Sequence, residues 1–220
     1  MNGLVFVPAT NKPGIDPKTG APYKDAKYFA AEAKKFGARH GIPLSRVVTF
    51  DNCAEKRERR AFVADTLMRF QNLECVAFFC HGWREGIQAG FALDHAPELA
   101  RYLFEACVPG AKIPLYCCST AEGGAGGDGA FADTLRDSLV GMLPGAVIDA
   151  HDRRGPTTTN PYVRRFVVGK EREKGGQWVI DPTDTRWPAW RKALRDTPLR
   201  FDFPFLTTET IRSNLPEKTP

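Results

Sequence analysis

The sequence predicts an α/β protein built on a mostly parallel sheet with helices on both faces. Short apolar runs rich in β-branched and aromatic residues recur along the chain, and segments with helical periodicity separate them. Length agrees with this, because 220 residues with 42% hydrophobic content supply one well-buried core and fall short of two. The expectation is a single domain over residues 1–220, with an α/β core over 1–151 and a C-terminal extension over 152–220 packed on it.

The first strand is LVFVPA, residues 4–9. A loop rich in Pro and Gly leads to a helix over 25–39, in which Ala26, Phe29, Ala30, Ala33 and Phe36 share a face; Gly41 and Pro43 stop it. The second strand is RVVTF, 46–50. Asn52 with Glu55 three residues later reads as a capping box opening a helix that runs to about residue 72, with Phe62, Leu67 and Phe70 inward. The third strand is CVAFFCH, 75–81. Pro97, a favoured first helical residue, then marks a helix that points Leu99, Leu103 and Ala106 at the core and carries Cys107. The fourth strand is KIPLYCC, 112–118, although Pro114 has no N–H to give to a ladder. Beyond the segment EGGAGGDGAF, Asp128 reads as the cap of a helix bearing Phe131, Leu135 and Leu139, and AVIDAH, 146–151, is the fifth strand. After His151 the pattern loosens into a hairpin from FVVG and QWVI, a short helix from WPAWRKALR and a Pro-rich tail.

Composition excludes several classes. No apolar run approaches the roughly 18 residues that span a bilayer, and the N-terminus MNGLVFVPATNK lacks a basic region followed by a long apolar one. A cytoplasmic chain without a membrane partner is expected. Of the six cysteines, Cys75, Cys80, Cys117 and Cys118 sit in strand-like apolar runs and Cys107 in an apolar helix instead of a loop-rich scaffold, which predicts reduced thiols. The net charge of +5 comes from scattered clusters such as EKRERR, read as a solvated face, and no aromatic-interleaved basic motif predicts nucleic acid as a partner.

In an open parallel sheet, ligands and catalytic groups collect outside the carboxyl ends of the strands. His81 closes strand three and is followed by Gly82; Cys117 and Cys118 close strand four; His151 closes strand five. Right-handed crossovers bring neighbouring strand ends onto one rim. A thiol there, with imidazole beside it, can attack a carbonyl as thiolate, and a glycine after the histidine leaves its N–H open toward an oxyanion. Side chains alternate across a sheet, so only one of Cys117 and Cys118 can face the cleft.

The blocks VAFFCHGW, 76–83, and IPLYCCST, 113–120, resemble those of the caspase-like cysteine peptidases, the superfamily of caspases, metacaspases, legumains, gingipains and CHAT domains. The resemblance covers residues 1–151. It implies a caspase-like three-layer sandwich and peptide-bond hydrolysis through a Cys-His dyad and an acyl-enzyme, with no cofactor and a peptide or protein as substrate. His81 falls on the family's histidine and Cys118 on its cysteine, with the backbone N–H groups of Gly82 and Cys118 as oxyanion hole. The family often has Ala or Ser where Cys117 stands, so Cys117 stays open as the nucleophile. The family's primary pocket holds either an acidic or a basic side chain. Asp51, Asp149 and Asp152 would favour Lys or Arg; Lys12, Arg153 and Arg154 would favour Asp or Glu. The loop DRRGPTTTN, 152–160, is the candidate pocket wall, Trp83 an apolar contact beside the oxyanion donor, and His151 either a cleft residue or a bystander.

Other readings compete. GAGGDG, 124–129, fits G-x-G-x-x-G between a strand and a helix, with Asp149 about 20 residues on, as a dinucleotide site requires. Cys118 and His81 with His151 or Cys117 could ligate zinc, although no CxxC or HxxxH spacing supports it. A caspase-like binding module without activity is the third alternative.

Overall fold

The computed structural model describes residues 1–9, 28–123, 128–157, 159–196 and 205. Its elements are β1 (Gly3–Pro8), α1 (Tyr28–Arg39), β2 (Val47–Phe50), α2 (Lys56–Leu67), β3 (Leu73–Phe79), β4 (Gly82–Trp83), β5 (Gly86–Ile87), α3 (Ala96–Ala106), β6 (Cys107–Tyr116), α4 (Phe131–Ser138), β7 (Val147–His151), β8 (Val163–Val167), β9 (Gln177–Trp178) and α5 (Trp187–Asp196). Seven strands form one sheet in the order β2-β1-β3-β6-β7-β8-β9. The first five are parallel, and β8 and β9 are added antiparallel. The expected α/β architecture is present, and the two strands beyond His151 extend the same sheet.

The core follows from strand alternation. On one face Leu4, Phe6, Val76, Phe78, Ile113, Leu115, Ile148 and Phe166 pack against Val63 and Leu67 of α2, Leu99 and Leu103 of α3, and Phe131 and Leu135 of α4. On the other, Val5, Val7, Ala77, Phe79 and Tyr116 pack against Phe29, Ala33 and Phe36 of α1. Val163, paired with His151 and therefore on that second face, meets Trp187, Trp190 and Leu194 of α5. Three helices thus cover one face and two the other, and the chain's strand C-termini are left open between them.

Several expected boundaries are corrected. The N-cap of α2 is Glu55, whose capping box closes on Glu58, not Asn52 with Glu55; the helix ends at Leu67 instead of running to residue 72. Phe62 is 37% exposed, facing away from the core that takes Leu67, while Phe70 packs partly against it. Cys107 begins β6 instead of continuing α3, because the chain passes into extended backbone at the helix C-cap without an intervening loop. Residue 107 pairs with Leu73, but Lys112 pairs with Cys75; the excess chain of β6 is absorbed around Gly110, which has φ +77°. Asp128 does not cap α4. The N-cap is Ala130, and the carboxylate that closes the turn is Asp133, accepting the Gly129 N–H at 3.0 Å. The first helix begins at Tyr28 within the described residues, so Asp25 and Ala26 lie outside them, as do Lys12, residues 124–127 of the glycine segment and nearly all of the tail. Among the described residues no helix is long and apolar enough to cross a membrane.

The opposite placements of two apolar residues on α2 give a direct check. Leu67→Ala should cost about 2–5 kcal/mol in urea unfolding, whereas Phe62→Ala should cost under about 1 kcal/mol; equal losses would contradict the orientation of the helix.

Candidate functional site

The site is built where β3 and β6 end side by side. Phe79 pairs with Tyr116 at the last ladder position. The register continues past it, since Cys80 and Cys117 bring their sulfurs to 3.5 Å. Both belong to the core face that packs on α2, α3 and α4. By alternation the next pair, His81 and Cys118, leaves the sheet on the opposite face, and Phe29 of α1 meets the His81 ring edge-on at 5.0 Å there. His81 and Cys118 are thus the second residues beyond the ends of the paired strands β3 and β6.

This arrangement separates the adjacent cysteines. Cys117 is wholly buried, its sulfur against Cys80 and the Phe78 carbonyl, and burial pushes its thiol well above the ordinary range. A protonated, enclosed thiol is a packing group. Cys118 is half-buried, and its S–H is directed at the carbonyl of Gly155 at 3.7 Å in the 152–162 loop.

Gly82 is required by space. A Cβ there would lie 2.6 Å from Cys117 Cβ and 2.8 Å from both the Cys118 carbonyl oxygen and Thr120 Cγ2. The backbone of residue 82 is therefore pressed against that of Cys118. The chain then turns through β4 and β5, a two-residue hairpin the sequence leaves as a loop, and Gln88 ties it back. The Gln88 side chain accepts the His81 N–H at 3.2 Å, and the Gln88 N–H donates to the His81 carbonyl at 2.8 Å.

The turn after Cys118 is equally fixed. Ser119 has φ +58°, an uncommon conformation for a residue with a Cβ, and reverses the chain directly behind the thiol. Thr120 Oγ1 donates to the Cys117 carbonyl at 3.0 Å, Ala121 N–H to the His151 carbonyl at 3.0 Å, and Ala132 N–H of α4 to the Thr120 carbonyl at 2.9 Å. These bonds lock the turn to β7 and to the start of α4.

A cleft of about 350 Å³ is lined by Gly82, Trp83, Arg84, Ser119, Glu122, Arg153 and Arg154, so that Gly82 and Ser119, the residues after His81 and Cys118, reach it while His81 and Cys118 are outside its lining. Trp83 is 39% exposed on its wall. Arg153 and Arg154 bring the segment after β7 to this cleft, and bonds within that segment brace it. Asn160 donates to the Arg153 carbonyl at 2.8 Å and accepts the Tyr162 N–H at 3.2 Å, and the Arg153 guanidinium stacks 3.9 Å over Tyr162.

Other residues singled out in the sequence lie elsewhere. Asp51 is exposed at the end of edge strand β2, with β1 between it and β3, and accepts the Cys53 N–H at 2.8 Å. Asp149 is buried in a bidentate pair with Arg165 at 2.8 and 3.0 Å. Asp152 pairs with Arg164 at 2.9 Å and Arg153 at 3.1 Å. His151 is buried behind Tyr116; its Nε2 bonds the Thr157 carbonyl at 3.0 Å and holds the loop whose Gly155 meets Cys118, while Nδ1 has no partner. Gln88, Phe29, Arg84 and Gly155 were not singled out, because their roles depend on hairpin, helix and loop returning to one rim. Among the described residues no three His, Cys, Asp or Glu side chains converge to hold a metal ion. No family model, curated protein or solved structure matches the chain.

Burial lowers the pKa of His151 from 6.5 to about 4. Between those values the unfolded chain binds a proton that the folded chain refuses, so the contribution is complete above pH 6.5 and is lost as pH falls toward 4. Wild type should lose roughly 3 kcal/mol more than His151→Gln across that window in urea unfolding; parallel pH profiles would contradict a buried neutral imidazole. Gly82→Ala should cost about 1–3 kcal/mol by the same measurement, since the nearest obstacle includes backbone.

Proposed function

We propose that the protein is a cysteine peptidase of the caspase-like kind, with Cys118 as nucleophile and His81 as general base and acid. The observation that carries this reading is that His81 and Cys118 follow adjacent parallel strands at matching positions, each two residues past the Phe79–Tyr116 pair, with Gly82 against the Cys118 backbone. In the reaction, His81 takes the Cys118 proton as sulfur attacks the substrate carbonyl carbon. The tetrahedral oxyanion is met by the N–H groups of Gly82 and Cys118. Collapse breaks the C–N bond, His81 delivers its proton to the leaving amine, and the acyl-enzyme remains. Water then attacks the thioester with His81 as base, releasing the acid and restoring the thiol.

The cleft's charges favour an acidic substrate side chain. The carboxylates of Asp149 and Asp152 are engaged by arginines. Arg84, Arg153 and Arg154 line the cleft against one acid, Glu122, and guanidinium forks suit carboxylates.

The nucleotide alternative finds less support. A phosphate site would need open amides at the start of α4, yet Phe131 N–H donates to the Arg84 carbonyl at 2.8 Å and Ala132 N–H to Thr120. Asp133 also puts a negative charge in the first turn.

Alkylation by iodoacetamide, followed for each cysteine by mass spectrometry, tests the dyad. Cys118 should react faster than exposed Cys53 near neutral pH and slow at least about tenfold in His81→Ala, while Cys107, whose thiol burial pushes up to about 12, and Cys117 stay slow. A Cys118 rate insensitive to His81 would remove the dyad and with it the peptidase reading.

A further inference from the structure

A second cleft of about 540 Å³ lies across the 152–162 loop from the first. Its walls are that loop and α5, and its lining combines Arg154, Arg191 and Lys192 with Pro156, Pro161 and Tyr162. Arg154 lines both clefts, so one exposed guanidinium stands at the ridge between them. The cations are unequally committed. Lys192 is held by Asp196 at 2.6 Å, whereas Arg154 and Arg191 have no ionic partner among the described residues. No carboxylate lines this cleft.

The walls are built rather than loose. Tyr162 packs edge-on against Trp187 at 4.8 Å, and Trp187, Trp190 and Leu194 anchor α5 on Val163 of β8. On the loop side Asn160 is buried and bonded to Arg153 and Tyr162, and Gly155 presses on it so closely that a Cβ would fall 2.8 Å from its side chain. Two exposed guanidinium groups with no ionic partner among the described residues thus rise from a braced segment and an anchored helix, beside apolar proline and tyrosine faces. Such a surface matches an extended polypeptide that alternates carboxylates with apolar contacts. A nucleic-acid strand would find no row of exposed aromatic faces for its bases and would meet Glu122 at the first cleft.

We propose that the cleft between the 152–162 loop and α5 is a second subsite, which takes an acidic stretch of the same polypeptide whose scissile bond lies at Cys118, with Arg154 bridging the two. This rests on the peptidase reading. The substrate class is a protein segment with carboxylates both at the cleavage position and at a distance from it along the chain. The C-terminal extension therefore contributes to recognition as well as to the sheet.

The test uses the full chain carrying Cys118→Ala, so that binding is read without turnover. Fluorescence anisotropy would compare a short peptide with one acidic residue, a longer peptide with a second acidic cluster, the longer peptide with lysines in place of the acids, and a single-stranded oligonucleotide of matched charge. The longer acidic peptide should bind more tightly than the short one and at least about tenfold more tightly than the lysine version. Arg154→Glu should weaken both acidic peptides, and Arg191→Glu should weaken the longer one selectively, by several-fold. Circular dichroism on both variants checks that they fold. Equal affinity of the long and short acidic peptides, or indifference to Arg191→Glu in a folded variant, would overturn the subsite. So would tighter binding of the oligonucleotide with the same arginine dependence, which would reassign the groove to nucleic acid. The dyad is judged separately by the alkylation of Cys118: a groove that binds acidic peptide beside a Cys118 indifferent to His81 would leave a binding surface and remove the peptidase reading.

Discussion

The candidate site depends on one pairing, that of β3 with β6 at the centre of the sheet. Because Phe78 meets Leu115 and Phe79 meets Tyr116, the next positions place Cys80 against Cys117, and His81 and Cys118 follow at matching positions. A slip of one residue would exchange every face. It would bury the imidazole or the second thiol under α3 and α4 and lift Cys117 to the rim. The register is protected by what each face must bury, Phe78 and Leu115 on one side and Phe79 stacked 4.2 Å from Tyr116 on the other. The irregularity in β6 lies at its start, around Gly110, away from the strand end that leads into Cys117 and Cys118.

Around this pairing the site is held by backbone bonds more than by side-chain chemistry. Thr120, Ala121 and Ala132 tie the turn after Cys118 to β6, β7 and α4. Gln88 folds the small hairpin back on His81, and His151 holds the loop that faces Cys118. Such fixation is what a reacting pair needs, since misplacement of a nucleophile by about 1 Å can cost about a hundredfold in rate. The glycine at position 82 and the left-handed Ser119 are local costs of bringing two strand ends this close.

Charge is arranged on the same plan. Carboxylates near the strand ends are used internally, as in Asp149 with Arg165 and Asp152 with Arg164, and the buried Arg136 is flanked by Asp133 and Asp137. Basic groups on the hairpin, the 152–162 loop and α5 remain exposed.

Period and punctuation in the sequence determined the main strands and their order along the chain but not their ends, since β3 closes at Phe79 and β6 at Tyr116, each two residues short of the expected His81 and Cys118. Apolar runs such as CVAFFCH and KIPLYCC are too short and too β-branched or aromatic for anything but buried strands, and their last residues must reach the carboxyl rim. His81 and Cys118 were legible for that reason. What the sequence left open was every choice that depends on contact between distant segments. Whether Phe62 or Leu67 faces inward is set by which neighbour covers α2, and whether Asp128 or Asp133 closes the turn before α4 is set by where the loop lands. Asp149 reads as a cleft acid until Arg165 arrives on β8, sixteen residues later, to bind it. The tertiary structure also decided between Cys117 and Cys118, because alternation says only that the two differ, and the packing of α2, α3 and α4 says which face is closed.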